Sequence, residues 1–405
     1  FLKLTYALNH ESGFGVVGFH AVNLLIHAVN GLLLLFLVRR LLAQLGYAPE
    51  SSAWLALATA LIFVLHPVQT EAVTYASGRC TSLSTSFAFA SIAAWIAGRD
   101  RRNPALVYAL SPLLMLLGIA TKETAVMVPA VLVLWEGADV SRPFRWAGAA
   151  RRTAAHWLLL LVAGGAVLAL PAYREFLAAS FATRSADANL VAQLHGVGYL
   201  LGQLVNIDRL NADPALPVVT KLDAEGAVTL ICLVVGFGMA VTNLRRWPLP
   251  AFAVLWFLLW LAPTNSIFAR LDLVNDRQLY AALAGPALLL AAAIRRVGHI
   301  NSRLGLPVFA AVLLLLGLAT VLRNDVYRDE VGFWRNVVEQ SPWNARAFNY
   351  LGIALADQCD LPRADAAWRR ALALDPGYVR AAVNVRLLGD GVLPAGVGPC
   401  PVRPP

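Results

Sequence analysis

Charge is scarce in this chain. Asp, Glu, Lys and Arg make up 14% of its 405 residues, against about 25% in a soluble domain, so a soluble protein built from it would have an unusually dry surface. Cysteine is thin as well: Cys80, Cys232, Cys359 and Cys400 are the four present, and they show no metal-ligand spacing. No GxxxxGKS/T, HExxH or Rossmann glycine fingerprint occurs. ATP-driven transport, zinc proteolysis and dinucleotide chemistry therefore have no motif behind them. No signal peptide precedes the first polar segment, and residue 1 is Phe rather than Met. The expectation is a start with upstream sequence missing.

What the chain has instead is apolar length. It is 59% hydrophobic with a mean hydropathy of +0.63, and apolar runs of about 15 to 20 residues alternate with short Arg-rich turns. That pattern predicts an all-α, polytopic helical membrane protein. The formal charge of +9 would suggest nucleic acid in a soluble protein, but here the basic residues lie mostly in turns between apolar runs. Membrane topology explains them better, because Arg and Lys are retained on the cytoplasmic side.

The first span, about residues 17–38, ends at Arg39-Arg40 and so runs inward. His20, Asn23, His27 and Asn30 recur on it at intervals of three and four, a polar stripe that faces protein or a wet cavity rather than lipid. Spans follow at 51–65, 81–97, 105–120, 124–135, 154–170, 226–241, 249–262, 281–294 and 304–322, about ten in all. Reading the fourth and fifth as one helix would put Arg245-Arg246 and Arg295-Arg296 outside, so they are kept apart. Residues 171–221 form an extracytoplasmic segment, and its apolar stretch 190–205, interrupted by Gln and Gly, reads as a helix lying in the interface. A start outside and about ten spans leave the C-terminal part outside, periplasmic in a bacterium or lumenal in a eukaryote.

That C-terminal part holds a repeat. Counting from Ala345, Phe348, Leu351-Gly352, Leu355, Ala364, Trp368, Ala371 and Pro376 fall at 4, 7-8, 11, 20, 24, 27 and 32, the large–small pattern of one tetratricopeptide unit. Residues 329–341 read as a half-repeat cap, and 389–405, rich in Gly and Pro, as a loose tail. The expected domains are a membrane domain over 1–322, an extracytoplasmic repeat region over 323–388 and the tail. Cys359 and Cys400 share the oxidising side and are candidates for a disulfide.

Four polar clusters emerge on that same side: Asn9–Glu11, HPVQTEAVTYASGR at 66–79, Lys122-Glu123, and Arg270 to Arg277. Charged residues at a membrane boundary are ordinary near water, and the inventory also fits a channel or a lipid-binding scaffold. It equally fits an enzyme acting on a lipid phosphate, which needs basic groups near the headgroup plane and a carboxylate to take a proton from an incoming hydroxyl.

The chain carries a resemblance in LTYALN (4–9), GFHAVNLLIHAVNGLLL (18–34), FVLHPVQTEAV (63–73), TKETAVMVP (121–129), APTNSI (262–267) and DRQLY (276–280), followed by the repeat. In that order these segments resemble the membrane protein O-mannosyltransferase family with C-terminal tetratricopeptide repeats, and its bacterial relatives. The resemblance covers about residues 1–385. It implies a multispanning glycosyltransferase that takes a sugar from a polyprenyl-phosphate carrier and passes it to a hydroxyl outside the cytoplasm, with no nucleotide-sugar site. The family's acidic motif lies upstream of the segment matched by LTYALN. Gly78-Arg79 is followed here by Cys80-Thr81, where the family tends to carry a basic residue and then Asp.

On that reading Glu71 and Glu123 are the catalytic carboxylates, orienting the acceptor or a divalent ion. Lys122, Arg79, Arg270 and Arg277 are the candidates for the carrier phosphate, with His66 as a hydrogen-bond donor to it. Tyr280 is placed at the sugar by stacking or donation. No protein metal site is assigned. The competing reading is a non-catalytic membrane subunit that keeps the fold and binds protein partners through its helices or its C-terminal region. A transporter is the third reading.

Overall fold

The computed structural model describes residues 2–141, 143–270 and 272–393, and every regular element among them is helical. The α-helices in chain order are α1 (Leu2–Glu11), α2 (Gly15–Gln44), α3 (Pro49–Leu65), α4 (Thr70–Val73), α5 (Arg79–Asp100), α6 (Ser111–Thr121), α7 (Val128–Ala138), α8 (Trp146–Ala169), α9 (Pro171–Thr183) and α10 (Ala186–Gln203). There follow α11 (Ala224–Asn243), α12 (Pro248–Leu261), α13 (Leu279–Ala282), α14 (Ala284–Ile300), α15 (Ser302–Val326), α16 (Glu330–Gln340), α17 (Ala345–Asp357), α18 (Leu361–Leu374) and α19 (Val379–Gly389). Contacts divide the chain into two units, Phe1–Ile207 with Val218–Thr320 and Asp208–Pro217 with Val321–Pro405.

In the first unit five helices are long and apolar enough to cross a membrane: α2, α5 with the turn before it, α8, α11 and α15. Two bent pairs, Pro49–Leu65 with Pro67–Val73 (54°) and Asp276–Ala282 with Ala284–Ile300 (62°), raise the number to seven if each is one span. Shorter apolar helices, Leu106–Thr121 and Pro248–Leu261, accompany them. The protein is therefore an integral membrane protein. Over their most apolar windows α8, α11 and α15 are 11%, 17% and 6% buried, against 56% for α5. Faces such as Val228, Ile231, Val234 and Phe237 on α11 thus stay uncovered, and apolar surface of that extent belongs in lipid rather than water.

The core of this unit lies between α2, α3, α5, α12 and α14. Phe63, Phe89, Trp256 and Tyr280 meet there, with centroids 5.4 Å apart for Phe63–Tyr280 and 5.7 Å for Phe89–Trp256. The polar stripe of α2 faces the same core: Asn23, His27 and Asn30 are buried and His20 is exposed. Asn23 donates to Val73 O at 3.0 Å and Asn30 to Ser82 O at 2.8 Å, so the stripe serves interhelical hydrogen bonds.

The reversal after α6 is made by Lys122, which is extended (φ −158°, ψ 142°). Ser84, near the start of α5, donates to Gly118 O and Lys122 O, while Arg99, near the end of α5, pairs with Glu136 at the end of α7 at 2.8 Å. The chain therefore goes up α6 and returns down α7. The fourth and fifth apolar runs are separate helices.

In the second unit Asp329, Asn344 and Asp360 cap α16, α17 and α18, each side chain accepting an N–H of the first turn. Trp368 is fully buried and its Nε1 donates to Asn349 O at 3.1 Å. A Cβ on Gly352 would sit 2.3 Å from that nitrogen, so only glycine lets α17 and α18 approach this closely. Asp208–Pro217 belongs to this unit, although it reads in sequence as part of the long outer segment. Asp213 takes both arms of the Arg346 guanidinium, at 2.9 and 2.5 Å, and Ser341 Oγ donates to Pro214 O at 2.7 Å. Residues 394–405, with Cys400 and the expected disulfide, lie outside the described residues; Cys80 and Cys232 are free thiols.

Candidate functional site

Hydrogen bonds and ion pairs sort the helix ends of the first unit into two sets. One set is rich in arginine. Arg40 contacts Asp100, Arg152 contacts Glu136, and Arg245 donates to Asp139 O at 3.2 Å. Glu136 and Asp139 are nearly fully buried, and so acidic a centre among the arginines was not legible from spacing. The other set gathers the HP loop, the TKE turn and the segment before α13, and here the sequence-predicted residues lie.

Three of them have structural work to do. Pro67 ends α3, leaving its last carbonyls to be satisfied from elsewhere. His27 Nε2 takes Val64 O at 3.1 Å and Thr320 Oγ1 takes Leu65 O at 2.7 Å. His66 Nδ1 accepts the Val68 N–H at 3.3 Å, which leaves Nε2 to donate to Leu204 O at 3.3 Å. Both ring nitrogens are thus engaged, and His66 is a turn brace instead of the expected phosphate donor.

Tyr280 is fully buried. Because His27 Nε2 donates to Val64 O, its Nδ1 must accept, so the Tyr280 hydroxyl donates to it at 2.7 Å and itself accepts from Asn30 Nδ2 at 2.9 Å. The ring lies in the helix core, away from the position at a sugar that the resemblance suggested.

Arg79 is also fully buried. It donates to Asn23 Oδ1 (2.7 Å), Asn9 Oδ1 (2.6 Å), Thr5 O (3.1 Å) and Phe19 O (3.3 Å), and its guanidinium covers the rings of Tyr6 and Phe19 at 4.7 and 5.3 Å. It ties α1, α2 and α5 together, in place of the expected phosphate contact. Gly78 beside it permits a close approach, since a Cβ there would lie 2.3 Å from Glu71 O.

The remaining five come together. Glu71 is 4% exposed; its Oε2 accepts the Arg277 N–H at 2.9 Å and its Oε1 lies 3.6 Å from Arg277 Nε. Glu123 pairs with Arg270 at 3.2 Å, with 49% and 38% of the two side chains exposed. Lys122 Nζ donates to Thr81 Oγ1 at 2.7 Å. In its turn, burial pushes the Lys122 ammonium below the ordinary lysine value, Cys80 and Glu123 oppose the fall, and Arg277 and Arg270 add to it. Lys122 thus feels both arginines and Glu123, while each arginine pairs with one carboxylate, Arg277 with the buried Glu71 and Arg270 with the open Glu123.

Side chains that sequence reasoning passed over complete this end. Tyr199 of α10 donates to Asp276 Oδ1 at 3.3 Å, and burial, then Asp276 and Glu71, hold its hydroxyl far above the usual tyrosine range. Further hydrogen bonds of α10 and its C-cap reach the neighbouring loops: Asn189 donates to Ser266 O at 2.6 Å, Asn265 to Gln193 at 2.8 Å, and His66 to Leu204 O. Neutral Gln and Asn in an apolar helix were the one available signal. Among the described residues no group of three or more His, Cys, Asp or Glu is placed to hold a metal ion.

The chain is distantly similar to protein O-mannosyl-transferases. Protein O-mannosyl-transferase F38B6.6 of Caenorhabditis elegans is 24% identical over 395 residues, covering 93% of this chain and 53% of that protein. Protein O-mannosyl-transferase TMTC4 of Mus musculus is 25% identical over 422 residues, 88% of this chain and 55% of that one. A shorter match to protein O-mannosyl-transferase Tmtc2 of Drosophila melanogaster reaches 34% over 143 residues, 33% of this chain and 14% of that protein. The chain spans about half the length of the first and second of these. No family model and no solved structure matches.

Proposed function

We propose that this chain is the membrane part of a glycosyltransferase that moves a sugar from a polyprenyl-phosphate carrier to a hydroxyl acceptor on the extracytoplasmic side. The observation that carries the reading is the grouping of Lys122, Arg270 and Arg277 around Glu71 and Glu123. Cations held near one another gain from an anion placed between them. A carrier phosphodiester is such an anion, and it acquires further negative charge as its bond to the sugar breaks. The activity named for the relatives, O-mannosyl transfer, supports a sugar as the transferred group.

In this reading the acceptor oxygen attacks the anomeric carbon while the bond from that carbon to the phosphate oxygen breaks. The electron pair leaves with polyprenyl phosphate, where Lys122, Arg270 and Arg277 stabilise it. The acceptor proton goes to Glu123, the more exposed carboxylate. Glu71, buried and held by Arg277, fixes that cation in place. About ten spans, with the arginine-rich end cytoplasmic and the HP end periplasmic in a bacterial inner membrane, suit this chemistry. Residues 323–388 then form a tetratricopeptide-type region outside, open to protein partners.

The test is the affinity of the purified full-length chain for a fluorescent polyprenyl phosphate. Lys122→Ala and Arg270→Ala each remove one charge-assisted contact, about 1.5–3 kcal/mol, or roughly tenfold to 150-fold in affinity. Arg277→Ala also strands buried Glu71, so the first two variants are cleaner. If the parent does not bind, or both variants fold and bind as tightly as it does, the ion pairs only brace helix ends and the scaffold reading replaces the enzyme.

A further inference from the structure

The second unit carries an open groove of about 320 Å³, formed by α16, α17 and α18. Phe348, Leu351 and Leu355 of α17, spaced by three and four, make its apolar floor, which covers two helical turns, about 10 Å. Leu355 belongs to the core of the unit, while Phe348 and Leu351 are half-buried at its edge. On α18 the small side chain of Ala366 lines the groove between Arg363 and Arg370 and leaves it open. Arg335 of α16 completes the rim.

Every ionic residue on this lining is an arginine, and no carboxylate lies among them. The unit as a whole is balanced, with nine arginines, no lysine and nine Asp and Glu over residues 321–393. Arg328, Arg346, Arg369 and Arg386 pair with Asp325, Asp213, Asp365 and Asp390, and Arg363 with Asp360, the cap of α18. Arg335 and Arg370 form no ion pair among the described residues; Arg370 extends over the Phe348 ring at 5.9 Å. An apolar floor in water, rimmed by unmatched cations, suits a partner that is apolar in the middle and acidic at its flanks. A free phosphate would use the rim and leave the floor wet. Floor residues repeating at three and four match the stripe of an amphipathic helix, which has the same spacing.

We propose that this groove docks an acidic amphipathic helix of another protein, its apolar stripe on Phe348 and Leu351 and its carboxylates on Arg335 and Arg370. The docking concerns the C-terminal unit alone and stands whether or not the membrane unit is a transferase.

The probes are fluorescein-labelled peptides of about fourteen residues with Leu, Phe or Met at i, i+3, i+4 and i+7, flanked by Glu in one set and by Lys in the other. Fluorescence anisotropy is read on the full-length chain in phosphatidylcholine nanodiscs. The parent should bind the Glu set and ignore the Lys set, with affinity falling as salt rises. Arg335→Glu together with Arg370→Glu reverses two exposed charges and should weaken the Glu peptides about tenfold. The same variant should now admit the Lys peptides, a gain that misfolding cannot mimic. Ala366→Trp fills the groove from an exposed position and should abolish binding, with an unchanged circular-dichroism melt. If no Glu peptide binds, if both sets bind alike, or if neither variant weakens binding, the proposal is overturned. Capture of the nanodiscs by phosphatidylglycerol vesicles, with every peptide ignored, overturns it in favour of a membrane-facing patch. Polyprenyl phosphate affinity should be the same in the parent and both variants, so failure of the peptides leaves the transferase reading untouched.

Discussion

Replacing Arg79 by lysine keeps the charge and removes the planar fork, and the effect separates a brace from a ligand. The guanidinium makes four hydrogen bonds, to Asn23, Asn9, Thr5 and Phe19, and lies over two aromatic rings. A lysine ammonium has three donors on a flexible stem and cannot reach four acceptors spread over α1 and α2 from one position. At least two contacts to a charged donor are lost, each about 1.5–3 kcal/mol, and their acceptors stay buried. The total is about 3–6 kcal/mol. The assay is heating of the full-length chain in detergent while the monodisperse fraction is followed by size exclusion. Arg79→Lys should lose that fraction at clearly lower temperature than the parent, and below its transition should bind polyprenyl phosphate as the parent does. Unchanged heat resistance together with weakened carrier binding would refute the bracing argument and return Arg79 to the phosphate.

Tyr280→Phe removes a hydroxyl that donates to His27 and accepts from Asn30; the same heating assay should show a loss of about 1–3 kcal/mol with carrier affinity intact, and an affinity loss alone would put Tyr280 back at the ligand. Gly352→Ala drives a Cβ against Trp368 Nε1, which should cost about 1–3 kcal/mol by overpacking; an unchanged tryptophan-fluorescence melt of the full chain would show that α17 and α18 simply separate. Reporters fused after Ala382 and between Glu136 and Arg152 should be active on opposite sides of the membrane, the first only outside the cytoplasm. Activity of both on one side would mean that the run of helices has been threaded wrongly.

Much of the architecture was legible because it depends on periodicity and solvent transfer, which are local properties. Apolar runs announce helices that cannot be exposed to water. The i, i+3, i+4 recurrence of Asn23, His27 and Asn30 announces a face turned to protein, and the structure buries all three while leaving His20 out. The reversal at Lys122 followed from where arginines sit. That Glu71, Glu123, Lys122, Arg270 and Arg277 stand beside the ends of apolar runs was likewise visible in the chain. Tertiary structure alone decided what the other three do. Arg79, His66 and Tyr280 are the same residue types at the same helix ends, yet their polar atoms are consumed by Asn9, Leu204 and His27, partners 70, 138 and 253 positions away. The adhesion of Asp208–Pro217 to α16 and α17, through Asp213 and Arg346, was equally invisible. Sequence specifies which groups can donate or accept, and how local segments bury their apolar faces; whether a given donor is already satisfied is a property of atoms brought within about 3 Å of one another, and only the folded chain sets those distances.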